Sequence, residues 1–95
     1  MIKHIVLFKL KDASTAIVDR TLEVLRELDG KVEQLVDIQV GADIIHSARS
    51  YDIALVATFA SQEDLNGYQV HPEHLKVIEY MNEVRESSIA VDYEF

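Results

Sequence analysis

The chain contains no cysteine and no tryptophan, one proline, three glycines and few aromatic residues, 7% in all. Without cysteine, a disulfide scaffold, a zinc–thiolate site and a thiol nucleophile are excluded. So little glycine and proline excludes a collagen-like repeat or a low-complexity tail, and leaves no glycine-rich loop to cradle a phosphate. Basic residues are also scarce: 9 Lys plus Arg stand against 17 Asp plus Glu, a formal charge of −8. The field of such a chain repels phosphate backbones and anionic bilayers, so neither nucleic acid nor a membrane is an expected partner. The longest apolar stretch, Ile53 to Ala60, is 8 residues with a threonine inside it, against the roughly 20 needed to span a bilayer. The opening Met1 to Lys9 lacks the length and small-residue cleavage site of a secretory signal, and the expected location is the cytoplasm.

The 95 residues fit one domain, 1–95, with a small core. Ile2 to Lys11 alternates as a strand, with Ile2, His4, Val6, Phe8 and Leu10 on one face and Lys3, Ile5, Leu7 and Lys9 on the other. Asp12 and Ser14 are candidate N-caps for a helix over Thr15 to Asp29, which Gly30 stops. Leu35 to Ile44 alternates apolar with polar residues and reads as an edge strand with one wet face. After the polar loop His46 to Ser50, Tyr51 to Ala60 forms a strand apolar on both faces. Ser61 and Asp64 form a capping-box pattern that opens a short helix interrupted near Gly67. Pro72 takes the favoured first position of a further helix, whose buried face is expected to carry Leu75, Ile78 and Met81 beside Val77 and Val84. The last strand alternates from Ile89 to Phe95.

The order β-α-β-β-α-β predicts an α+β, ferredoxin-like four-stranded antiparallel sheet in the order 4-1-3-2. The face pattern supports that order independently, since the two doubly apolar strands fall in its centre and the two with a polar face fall at its edges. Helices cover only one face of such a sheet, so Ile5, Leu7, Ala54 and Val56, or their counterparts on the opposite face, are left for a partner. A second copy packed face to face covers them, and a homodimer is expected.

Four stretches carry a family resemblance: Lys3 to Lys9, Tyr51 to Phe59, Asp64 to His74, and Val91 to Glu94. Together they resemble the stress-responsive A/B barrel (Dabb) domain across essentially the whole chain, most specifically through the run Tyr68-Gln69-Val70-His71-Pro72-Glu73-His74. The resemblance implies a homodimeric α+β barrel. It does not imply one activity, because the family holds plant stress-response proteins, polyketide cyclases and uncharacterised bacterial members. In the cyclases a histidine base removes a proton beside a carbonyl while a tyrosine hydroxyl polarises the substrate. By that motif Tyr68 and His74 are the candidate catalytic pair, and His4 and His71 are candidate binding residues. Ile53 replaces a further pocket histidine of the cyclase pattern, which separates this chain from their particular substrate.

Each candidate also has a plainer reading. His74 borders the apolar stripe of its helix and fits a half-buried histidine bonded to a neighbour as well as a base facing a cavity. His71, held out of the α region by Pro72, is more simply a cap or packing residue. His4 is equally a satisfied core histidine, and Tyr68 a packing aromatic. A metal set built on His71, His74 and Glu73 lacks a third ligand fixed by spacing, so no metal and no cofactor are expected. The functional expectation is a small apolar pocket for a small-molecule ligand or carbonyl substrate. The rivals are a non-enzymatic ligand-binding or stress-response oligomer and, with no tryptophan or haem-ligand motif to support it, a haem- or quinol-type monooxygenase of the same barrel fold.

Overall fold

The computed structural model describes residues 1–95. In chain order the elements are β1 (Ile2–Leu10), α1 (Thr15–Arg26), β2 (Leu35–Ala42), β3 (Ile53–Phe59), α2 (Gln62–Gln69), α3 (Pro72–Val84) and β4 (Arg85–Glu94). The strands are antiparallel and lie in the order β2-β3-β1-β4, the expected order seen from its other edge. No helix is long and apolar enough to cross a membrane.

Local chemistry sets the helix ends. Asp12 accepts from the Ser14 amide at 2.9 Å, and the Ser14 carbonyl accepts from Val18 to begin α1. The helix ends at Arg26, three residues before Asp29, and the chain turns to Gly30, whose φ of 81° suits a residue without a Cβ. Ser61 caps α2 by accepting from the Asp64 amide at 3.2 Å. Contrary to expectation, α2 runs through Gly67 without a break. The glycine serves packing there: a Cβ would sit 2.9 Å from Gln34 Nε2. The helical run breaks instead where Val70 leaves helical geometry and Pro72 restarts it.

One sheet face carries the helices. Ile53, Leu55, Ala57 and Phe59 of β3 are buried there with Leu25 of α1, Tyr68 of α2, and Val77 and Met81 of α3. Leu75 departs from the expected stripe and is 50% exposed. The stripe that meets the sheet instead passes through Val77, Ile78 and Met81, with Val77 and Met81 buried, and at 100° per residue this turns Leu75 outward.

The other face carries Ile5, Leu7, Ala54, Val56, Ile89 and Val91 in adjacent register, and no element covers it. Ile89 and Val91 are 51% and 54% exposed. Lys3, which bonds Thr58 at 3.0 Å, and Lys9 stand towards the two ends of this apolar centre. Strand boundaries differ from the sequence pattern in several places: β1 ends one residue early, at Leu10, and β3 is shorter than expected, Ile53–Phe59 in place of Tyr51 to Ala60. β2 stops at Ala42 and carries an irregularity that leaves Val36 exposed, so Ile44 and Ile45 lie beyond it in the following loop. β4 starts four residues earlier than expected, at Arg85, directly from the end of α3. Its polar start, Arg85 to Ser88, pairs with Phe8 to Leu10 of β1.

Candidate functional site

The helix layer does not reach over β4. Ala90, Asp92 and Glu94, which share the helix-side face with their β1 partners, stay exposed, and a cavity of about 280 Å³ lies between β1, β4 and the inner side of α3. Its size is near the lower end of small-molecule sites. Val6, Phe8 and Leu55 of the sheet form its apolar floor, and Val77, Ile78 and Met81 of α3, with Leu25 of α1, line it from the helix layer. The polar groups on its lining are His4, Tyr68, Gln69, His74, Asn82, Arg85 and Ser88.

Three of the four candidate residues meet at this cavity. The rings of Tyr68 and His74 are 4.1 Å apart between centroids, tilted by 36°. His4 meets the edge of Tyr68 at 6.1 Å, and Phe59 packs against Tyr68 at 4.9 Å. The fourth, His71, is outside. Its Nδ1 accepts from the Glu73 amide at 3.1 Å to cap α3, and its Nε2 lies 3.3 Å from Glu33. Ile53 is 2% exposed and packs in the core.

The hydrogen bonds assign protons to both cavity histidines. His74 Nδ1 lies 3.3 Å from the Gln69 carbonyl, which can only accept, so Nδ1 carries the hydrogen and Nε2 keeps its lone pair. His4 Nδ1 lies against an oxygen of Asp92; a carboxylate likewise only accepts, so His4 also donates from Nδ1. Asp92 thereby orients a histidine 88 residues away in sequence, a partnership that no local spacing signals. Arg85 is the only cation on the cavity lining, and nothing in the sequence pattern marked it.

Burial controls the charge states. Desolvation holds the His74 pKa below its ordinary value of 6.5, and His4 and His71 push the same way while the Gln69 carbonyl opposes them. Burial also pushes the Tyr68 hydroxyl well above the usual phenol value of 10.0, so it remains a protonated donor. That hydroxyl has no partner in the chain. Tyr68 is only 1% exposed, and it lines the cavity.

A depressed histidine pKa has a definite sign for stability. The folded state favours neutral His74, so its contribution is complete above the unfolded value of 6.5 and is lost as pH falls below it. The stability difference between the parent and His74→Gln is therefore expected to move against the parent between pH 7.5 and 5.5. Urea unfolding at a series of pH values checks this, and a difference independent of pH contradicts it.

A four-stranded sheet with its helices on one face and a cavity under α3 defines a ferredoxin-like domain with a pocket inside the protomer. Residues 2–95 match the model of the stress responsive A/B barrel domain, and the chain belongs to that family. An uncharacterized protein of Streptomyces coelicolor is 34% identical over the whole length of both chains. The stress-response A/B barrel domain-containing protein DABB1 of Arabidopsis thaliana is 30% identical over 98% of this chain, which spans 46% of that relative, about half its length. Among solved structures, a dimeric protein of unknown function and ferredoxin-like fold from Bacteroides fragilis superposes with a TM-score of 0.86 at 33% identity, covering 99% of this chain and 95% of that one.

Proposed function

We propose that the chain acts as a homodimer in which each protomer binds a small, largely apolar carbonyl compound and transfers a proton at the carbon beside the carbonyl, with no cofactor. The observation that carries this reading is the contact of His74 with Tyr68 on an apolar cavity, a base with a free lone pair beside a hydroxyl without a partner. The apolar sheet face and the dimeric state described for the Bacteroides fragilis relative support the homodimer.

In the proposed step His74 Nε2 takes the proton from the carbon, and the electron pair of the broken C–H bond moves onto the carbonyl oxygen. The Tyr68 hydroxyl hydrogen-bonds the resulting enolate, which is stabilised more than the ground-state carbonyl. Protonated His74 then returns its proton to the carbon, or to the alkoxide formed when the enolate adds to a second carbonyl of the same molecule. His4, fixed by Asp92, orients the substrate from the opposite wall.

Deuterium exchange tests the reading. Methyl ketones of graded chain length incubated with the protein in D2O are expected to exchange α-protons faster than buffer allows, as followed by NMR. Binding without accelerated exchange favours a non-enzymatic ligand carrier, and neither binding nor exchange on any member removes the reading.

A further inference from the structure

The cavity is polar at its two ends and apolar between them. His74, Val77, Ile78, Met81 and Arg85 all line it, at spacings of three, four, seven and eleven residues from His74, which form one stripe along α3 and its C-terminal end. Eleven residues at 1.5 Å each separate the two ends by ~16 Å along the helix direction, before either side chain reaches inward. Tyr68 and His74 mark one end. Arg85, Asn82 and Ser88 mark the other.

Arg85 is held by neutral groups alone. Its Nε and Nη2 donate to Asn82 Oδ1 at 3.3 and 3.0 Å, and its Nη1 donates to Ser88 Oγ at 2.9 Å. These bonds fold the side chain back over the last turn of α3, toward the cavity. Three of five guanidinium hydrogens are used, and no carboxylate lies within ion-pair distance, although Asp and Glu outnumber Lys and Arg by 17 to 9. A cation whose orientation is fixed and whose charge no carboxylate compensates, on the lining of an apolar cavity, suits an anionic ligand, and a planar guanidinium favours a carboxylate.

We infer that the cavity takes an elongated carboxylic acid, its carboxylate on Arg85 at one end and its carbonyl carbon between His74 and Tyr68 at the other. The inference rests on the small-carbonyl reading and narrows it to keto acids of medium length. The apolar middle, Phe8, Val77, Ile78 and Met81, holds the chain that joins the two groups. Asn82 and Ser88 act as positioning residues that hold the guanidinium.

The test uses two probes of the same length, 7-oxooctanoate and its neutral amide, titrated into the full-length, isotopically labelled chain while the His74 and Tyr68 resonances are followed. The acid is expected to bind about tenfold more tightly than the amide, as the guanidinium meets a charged acceptor in place of a neutral one. Added salt is expected to weaken the acid and leave the amide unchanged. Arg85→Gln is expected to erase the preference while amide affinity stays within about twofold, and Arg85→Lys to keep part of it. Equal affinity for both probes in the parent, or a preference that survives Arg85→Gln, overturns the inference and makes Arg85 a structural link between α3 and β4. Failure of both probes to shift either resonance overturns the inference together with the small-carbonyl reading.

Discussion

Val56→Asp is expected to abolish the dimer, leaving a chain that scatters light as a monomer or precipitates. Val56 lies on central strand β3, opposite Ile5 of β1 and Gln39 of β2, so it sits at the middle of the uncovered face. A standard interface buries about 1,600 Å² in total, and its centre is the most completely dehydrated part. A carboxylate placed there without a partner loses its hydration, at a cost on the order of several kcal/mol. Because every ~1.4 kcal/mol is a factor of ten in association, the dimer weakens by about a thousandfold or more. Two further variants make the result specific to the face. Ile89 and Leu75 are 51% and 50% exposed, the first on the uncovered sheet face and the second on the outside of α3. Ile89→Asp is expected to weaken the dimer and Leu75→Asp to leave it intact. A parent that is monomeric at micromolar concentration, or equal effects of Ile89→Asp and Leu75→Asp, sinks the homodimer.

Strand order is legible in the sequence because sheet position controls both faces of a strand at once. β1 and β3 need apolar residues on both sides, and β2 shows its wet face as Asp37, Gln39 and Gly41. What periodicity misses are positions where a local pattern yields to a tertiary contact. Gly67 looks like a helix breaker but makes room for Gln34, a neighbour invisible from within α2. Arg85 to Ser88 is too polar to read as strand, yet Arg85, Ser87 and Ser88 pair with β1 across a register shift that leaves Glu86 without a partner, because the segment lies at the edge and borders a cavity instead of a core. Leu75 misleads in the opposite direction, since hydrophobicity alone does not say which of two adjacent stripes on α3 meets the sheet.

The cavity groups divide along the same line. Tyr68 and His74 lie six residues apart, on either side of a proline restart, and their joint presence in one motif makes their proximity readable. His71 sits in the same motif but spends both ring nitrogens on Glu73 and Glu33, as its position before Pro72 suggests. The contact of Asp92 with His4 and the place of Arg85 on the cavity lining depend on β4 lying beside β1, a long-range pairing that brings residue 92 to residue 4. Only the topology, carried to residue-level register, reveals them.

His74→Ala is expected to lower proton transfer by about 10²–10⁴-fold, the range for loss of a positioned general base. The base acts only while neutral, and burial already holds its pKa below 6.5, so the parent rate is expected to be flat at neutral pH and to fall on acidification below that value. Tyr68→Phe keeps the ring that packs on Phe59 and His74 but deletes the donor to the developing oxyanion. Its expected loss is about 10²-fold, with substrate affinity little changed, because the hydroxyl binds the enolate better than the ketone. Neither loss is expected to come from unfolding. Tyr68 gives up no hydrogen bond within the chain, and His74 is only half-buried. Exchange rates measured together with urea unfolding separate the two causes. A well-folded His74→Ala protein that retains the parent rate removes this histidine from the chemistry, and a loss of rate that tracks the loss of stability assigns it a structural role.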